Sequence, residues 1–351
     1  MKVAIQTIQS INYGNRLQNY ALQTILESFG CEVRSLRRDA GFNGSLRSKV
    51  LNARQKIGTF KHMNDRVGAF RLFDKKNITF SKEIVSKDYI SSNLDAAFDC
   101  FVIGSDQVWN PTFAFNSQLE YLPMVSYPKK ISYAASFGVN EIKENREETA
   151  ALLNEISYIS VRERAGANIV KNLTGRDVPV VLDPTLLLNV ERWQKVAIKP
   201  QFVESSMPYI FKYVLGDDLH DAWITNFADN YGYRVINAMD ESLAIGPSEF
   251  VWLIAHSSLV CTDSFHASVF ALLHHKPLGI FERAGLTADM SSRFDTFCSV
   301  FGLEGHRSSE PSFSESSIFQ TDWADVDARR AALSDYSLGW LRYALDGVAR
   351  G

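Results

Sequence analysis

The stretch Met1–Gly30, MKVAIQTIQSINYGNRLQNYALQTILESFG, sets the reading of the whole chain. Lys2 to Ile8 is a short apolar run, too brief for a helix and suited to a buried strand. Gln9 to Asn15 is polar, as a loop would be, and Arg16 to Phe29 repeats apolar residues at helical spacing until Gly30 stops it. Strand, loop and helix in that order make a βα unit, and the pattern recurs. Glu32 to Arg37, Phe98 to Ile103, Ile131 to Ala135, Tyr158 to Val161 and Val178 to Leu182 read as further strands, with helical patterns between several of them. Such alternation specifies α/β architecture with a mostly parallel sheet.

The pattern loosens after Asp183-Pro184, through Trp193 and Lys199-Pro200 to Pro208, which reads as a linker. It then restarts. Tyr209 to Leu215, Tyr233 to Ala238, Leu259 to Cys261 and Pro277 to Phe281 read as strands, and Asp217 to Tyr231, Pro247 to Ala255 and Phe265 to His275 as helices. A chain of 351 residues has room for about two domains. The expected boundaries are 1–195 for the first Rossmann-like domain, 205–320 for the second and 321–351 for a closing helix. That helix, roughly Trp323 to Leu345, has no strand after it and could cross back over the first domain.

Charge excludes some partners. With 37 Lys+Arg against 40 Asp+Glu, a formal net charge of −3 creates no global field for nucleic acid or an anionic membrane. Cys31, Cys100, Cys261 and Cys298 lie far apart without metal-site spacing, so buried thiols are expected and no metal site. The N-terminus turns polar at Gln6, too soon for a signal peptide, and no run approaches the ~18 apolar residues of a membrane span. A cytoplasmic location, with the inner face of the membrane as its variant, is the expectation.

One segment, about 40–95, breaks the rhythm as an insertion. Leu46, Val50, Ala53, Ile57, Phe60, Val67 and Phe70 have the spacing of a long amphipathic helix. From Arg34 to Asp88 there are 14 basic and 5 acidic residues, a local excess of nine. A solvated helical face explains this, and so does a surface for an anionic partner such as a diphosphate-linked glycolipid at a membrane.

In parallel sheets ligands gather beyond the carboxyl ends of the strands, so motifs there carry the chemistry. Asn12-Tyr13-Gly14-Asn15 follows the first strand, where Gly14 permits close backbone approach and the next helix offers N–H groups; Asn15 as an N-cap accounts for it nearly as well. Gly104-Ser105-Asp106-Gln107-Val108-Trp109-Asn110 follows an apolar strand with a carboxylate, amides and an indole, a set suited to sugar hydroxyls and a ring face. A loop in which Ser105 or Asp106 starts a helix is the alternative. Arg162 and Arg164 end another strand and share one side if the strand continues, two forks suited to a carboxylate or phosphate, with a salt bridge to Glu163 or Glu155 as the alternative. Thr262-Asp263-Ser264-Phe265-His266 is the strongest cluster. With Ser264 or Asp263 as N-cap, His266 falls in the first helical turn, at the positive end of the macrodipole, where an anion would bind and arm it as a proton donor. A histidine packed at a domain interface is the alternative.

The motifs Asn12–Asn15 with Gln18–Gln23, Gly104–Asn110, Ser132–Gly138, Ser160–Glu163, Leu182–Thr185 and Thr262–His266 together resemble the ordered landmarks of polysaccharide pyruvyl transferases, over about residues 1–285. The resemblance implies a glycosyltransferase-B-like fold, two Rossmann-like domains facing across a cleft, with the acceptor on the first and the donor on the second. It implies transfer of pyruvate from phosphoenolpyruvate, a co-substrate rather than a cofactor, to a hydroxyl pair of a lipid- or nucleotide-linked saccharide in cell-surface polysaccharide biosynthesis. An acid protonates the enol methylene, a sugar hydroxyl attacks C2, phosphate leaves and a second hydroxyl closes the ketal. On this resemblance His266 and Asp106 are the expected catalytic pair, Arg162, Arg164, Ser264 and Phe265 bind the donor, and Asn12, Gly14, Asn15, Ser105, Gln107 and Trp109 line the acceptor side. The family commonly has Arg-X-His at the helix start, whereas this chain has Ser264; Arg164, Lys212 or Arg283 could supply the charge, or the helix N-terminus could suffice. A nucleotide-sugar glycosyltransferase and a non-catalytic glycan-binding protein of the same fold are the other readings.

Overall fold

The computed structural model describes residues 1–38, 66–87, 89–204, 207–217, 219–283 and 292–350. The chain divides into two compact units, Met1–Asn64 with Asp74–Leu187 and Leu333–Gly351, and Asp65–Phe73 with Leu188–Ala332.

The first unit is built on β1 (Lys2–Gln6), α1 (Tyr13–Ser28), β2 (Glu32–Arg37) and β3 (Phe80–Ile84); helix α2 (Arg66–Asn77), which precedes β3, is assigned to the second unit as far as Phe73. The short α3 (Leu94–Ala97) leads into β4 (Cys100–Ile103) and β5 (Lys130–Ala135), then α4 (Arg146–Asn154), β6 (Tyr158–Val161), α5 (Arg164–Thr174) and α6 (Pro184–Leu187). The six strands order β3-β2-β1-β4-β5-β6 and pair in parallel, so β1 and β4 are the central pair. This order places a topological switch at β1/β4, where crevices form beyond the strand ends. All four residues of β4 and all six of β5 are buried, as strands with both faces covered must be.

The second unit holds α7 (Val190–Gln194), β7 (Tyr209–Tyr213), α8 (Asp221–Tyr231), β8 (Arg234–Asn237), α9 (Pro247–His256), β9 (Leu259–Thr262), α10 (Phe265–Leu273), β10 (Leu278–Ile280), α11 (Ser292–Phe301) and α12 (Glu315–Phe319). Its parallel sheet runs β10-β9-β7-β8. Ile210, Leu259, Cys261 and Phe281 pack with Ile224 and Phe227 of α8 in its core.

The last helix, α13 (Trp323–Arg350), contributes its residues from Leu333 onward to the first unit. Trp340 lies against Tyr133, Tyr343 stands edge-on to Tyr158, and the Arg342 guanidinium sits 4.0 Å from the Phe29 ring centroid. Leu341 and Ala344 are fully buried.

The two parallel α/β sheets meet the expectation of two Rossmann-like units. Details differ. Val178–Leu182 is not a strand but a single bridge, Val161 to Val180. The Phe80–Ile84 strand escaped the sequence reading because its middle is Ser-Lys-Glu and only Ser81 and Ile84 are buried. Most of the expected amphipathic helix from Leu46 to Phe73 falls outside the described residues; within them, a helix begins at Arg66. All four cysteines are free thiols, and burial pushes that of Cys298 up to about 12.

Candidate functional site

At the carboxyl ends of β1, β4 and β6, the first unit gathers a buried polar network. Asn12, not Asn15, caps α1, accepting the Gly14 N–H at 2.9 Å, so the helix starts three residues earlier than the sequence pattern suggested. That places Gly14 and Asn15 in its buried first turn. Asn15 Nδ2 donates to Asp106 Oδ2 at 2.5 Å, and Ser10 donates to Asn15 Oδ1. No helix starts at Ser105 or Asp106. The loop turns instead through Asp106, at φ +70°, whose Oδ1 accepts the Gln107 N–H at 2.9 Å. An Asp tolerates this left-handed conformation better than most residues because its short carboxylate can bond locally.

Arg162, directly after β6, is 4 % exposed, and its guanidinium is surrounded by carboxylates. Nη1 donates to Asp183 Oδ2 at 2.8 Å and Nη2 to Asp106 Oδ1 at 3.3 Å, while Nε lies 3.9 Å from Glu163 Oε2. Burial works against the charged form, but Asp106, Asp183 and Glu163 together outweigh it and hold the guanidinium pKa above its ordinary value. The expectation of Arg162 as an anion clamp therefore needs correction. One positive charge among three carboxylates makes a locally acidic cluster, which repels a carboxylate or phosphate. Arg164 does not share its side either, because the strand ends at Val161 and Arg164 is the exposed first residue of α5.

The network extends further. Ser105, fully buried, donates to Asp183 Oδ2 at 2.8 Å; Gln18 Oε1 accepts the Ser105 N–H, and Thr7 donates to the Ser105 carbonyl. Asp183 Oδ1 accepts from the Thr185 N–H and hydroxyl. Gln107 accepts Asn110 Nδ2 at 2.7 Å. Trp109 lies 1 % exposed, stacked on Tyr121 with a 3° interplanar angle at 5.3 Å and tilted against Phe137 at 5.2 Å. This corrects the expected sugar-stacking role: aromatic partners already pack the indole.

The second unit builds its own cluster at the carboxyl ends of β7 and β9. Ser264 stands at the N-cap position of α10 in extended conformation, with no side-chain capping bond. His266 is the second helical residue, 6 % exposed and edge-on to Phe265 at 5.4 Å. Phe265 packs on Phe294 and Phe297, which fixes the start of the helix. Asp263 is not the cap. It accepts the Leu215 and Gly216 N–H groups, both at 2.8 Å, and Arg283 Nε at 3.0 Å. Arg283 Nη2 also donates to the Asp263 carbonyl at 3.0 Å, and Lys212 Nζ to Asp221 at 2.5 Å. Both cations are thus paired with carboxylates, Arg283 with Asp263 and Lys212 with Asp221, and the feature left for an anion is the first turn of α10, which carries His266.

Asp183 and Asp263 are organising residues whose importance the sequence only hinted at, since each ends an apolar run next to a motif. No cluster of metal-ligating side chains occurs among the described residues. Nor is any helix among them long and apolar enough to cross a membrane.

The family model for polysaccharide pyruvyl transferase matches residues 12–283, most of the chain. No curated protein matches the sequence. Among solved structures, a Listeria monocytogenes protein assigned as a UDP-N-acetylglucosamine 2-epimerase is similar at TM-score 0.50 and 10 % identity, covering 95 % of this chain and 90 % of that one. The UDP-GlcNAc 2-epimerase of Methanocaldococcus jannaschii follows at TM-score 0.47 and 10 % identity over 95 % and 99 %. The glycosyltransferase SnogD of Streptomyces nogalater gives 0.43 and 12 % over 99 % of each chain. At such identity the first of these speaks to fold alone.

Proposed function

The chain belongs to the polysaccharide pyruvyl transferase family, and from that premise we propose that it moves a pyruvyl group from phosphoenolpyruvate to a hydroxyl pair of a saccharide, forming a cyclic ketal. The observation that carries the proposal is His266 at the N-terminal turn of α10, with Lys212 and Arg283 at neighbouring strand ends. That end of the second unit suits the anionic donor. The positive end of the helix macrodipole favours the phosphate and carboxylate, and His266 is the proposed donor of the proton to the enol methylene. The resulting cationic C2 takes the first hydroxyl, phosphate departs with the C–O bond electrons, and the second hydroxyl closes the ring.

The first unit suits the neutral sugar ring of the acceptor, because its acidic cluster disfavours an anionic group there and supplies hydrogen-bond acceptors for hydroxyls. Asp106 is the candidate base there, held in place by Asn15 and Arg162. Arg162 becomes a positioning residue in this scheme. A saccharide carried on a lipid or nucleotide diphosphate, as for a cell-surface polysaccharide made in the cytoplasm, is the proposed acceptor, and the basic segment is its proposed route to a membrane face.

Phosphate release from phosphoenolpyruvate, measured with and without saccharide acceptors, tests the proposal. Turnover is expected only with acceptor and is expected to vanish in His266→Ala at unchanged melting temperature. Full activity in that variant would remove the proposed acid.

A further inference from the structure

We propose that Glu120, Gln6 and Arg38 form a saccharide-hydroxyl subsite on the first unit, a deepening that rests on reading the chain as a saccharide-modifying transferase. Glu120 sits in a short 3-10 turn, Gln118–Tyr121, and is 1 % exposed. Gln6 is the last residue of β1, and Arg38 follows the last residue of β2, so both stand at carboxyl strand ends. Gln6 shares its face of the sheet with Ala4, which packs in the same core as Trp109 and Tyr121.

Gln6 Nε2 donates to Glu120 Oε2 at 3.2 Å, and Arg38 Nη2 donates to Glu120 Oε1. Each carboxylate oxygen can accept another hydrogen bond. Burial raises the Glu120 pKa against the lowering pull of Arg38.

The second observation is independent of this pairing. Among the described residues, Gln6 Oε1 and Arg38 Nη1 are buried atoms with no hydrogen-bond partner, and so are Trp109 Nε1 and Ser117 Oγ. Gln6 is itself 0 % exposed. Covalent geometry fixes the first two beside the carboxylate, since each shares a carbon with the nitrogen that holds Glu120. Ser117 immediately precedes the 3-10 turn, and the Trp109 ring stacks on Tyr121, the residue after Glu120.

Buried polar groups are ordinarily hydrogen-bonded, and leaving one bare is costly. Here a bare acceptor, a bare donor and a carboxylate with spare lone pairs gather at the carboxyl ends of β1 and β2, with two further bare groups on Trp109 and Ser117, next to the neighbours of Glu120. Their combined charge is neutral, with Glu120 set against Arg38. A neutral group that both donates and accepts at several points matches them, and adjacent hydroxyls of a pyranose do so. Phosphoenolpyruvate does not, because the carboxylate repels it.

Saturation-transfer NMR with methyl pyranosides of gluco, galacto and manno configuration tests the subsite. At least one glycoside is expected to bind the wild-type chain. Glu120→Gln is expected to weaken it about tenfold, as loss of charged hydrogen bonds to a buried group does. Trp109→Phe keeps an aromatic ring against Tyr121 while removing the N–H together with part of the indole volume, and, at a melting temperature that shows the variant folded, is expected to weaken binding severalfold. The melting shift caused by phosphoenolpyruvate should be the same in both variants as in wild type. Unchanged glycoside binding in both variants, or none in a folded wild-type chain, overturns the subsite. Should Glu120→Gln fail to fold, Trp109→Phe decides. Absence of a phosphoenolpyruvate shift in wild type counts against pyruvyl transfer, while the glycoside result still judges the subsite.

Discussion

Arg162 ties the stability of the first unit to the proposed positioning of Asp106. Its guanidinium neutralises part of a cluster that would otherwise hold Asp106, Asp183 and Glu163 together in the interior. Removing one member of a buried ionic group costs about 3–5 kcal/mol, because the remaining charges lose compensation. Arg162→Met is therefore expected to lower the unfolding free energy by about that amount, measured by denaturant titration of the first unit. A loss under about 1 kcal/mol would show that the cluster is protonated or hydrated rather than paired. Ser264 offers the opposite case. Its hydroxyl does not cap α10, so Ser264→Arg sacrifices no cap and adds a cation beside His266. Severalfold tighter binding of phosphoenolpyruvate, read from its melting shift, is expected; weaker binding would place the donor elsewhere.

At the scale of elements, the decisive features are turns and helix ends. Gly104 joins β4 to the Asp106 loop at φ +116°, and a Cβ there would lie 2.4 Å from the Tyr133 carbonyl oxygen. Both backbone conformation and space demand glycine. Gly104→Ala is expected to cost about 3 kcal/mol and to displace the loop, visible as loss of melting temperature together with activity. At the other end of α10, His274 is mostly buried, and burial first, then Lys276, His256 and His275, pull its pKa down to about 4. The unfolded chain takes up a proton near pH 6.5 and the folded one does not. This contribution to stability is complete above pH 6.5 and is lost as the pH falls towards 4, a change of about 1–3 kcal/mol. His274→Leu should flatten that acid limb in pH-dependent unfolding; an unaltered limb would mean other groups cause it.

Across the molecule, the alternation of strands and helices was legible from the sequence because parallel strands buried on both faces are continuous apolar runs, as in Cys100–Ile103 and Leu259–Thr262. His266 was legible for a related reason, since a strand end followed by a polar cluster marks a helix start. Glu120 was not. It sits in a 3-10 turn without periodicity, and its partners Gln6 and Arg38 are 114 and 82 residues away in sequence. The pairing of Arg162 with Asp183 was hidden for the same reason, as two local motifs do not reveal that they neutralise each other. The role of α13 is likewise a property of the whole. Deleting residues 333–351 removes the partners of Tyr133, Tyr158 and Phe29 from the first unit. Calorimetry should show the transition of that unit shifted down while that of the second is retained. Equal loss from both would mean that the two unfold as one.

The return of α13 also bears on how the protein is born. The first unit is interrupted by residues 188–332 and draws its final packing from Leu333 onward. A ribosome adding about 5–20 residues per second takes roughly 7–30 s to cross that interval. Throughout it, the nascent first unit has the rings of Tyr133 and Phe29 uncovered by their helix. The second unit meanwhile receives all its strands in one uninterrupted stretch, so it can finish first although it is made later.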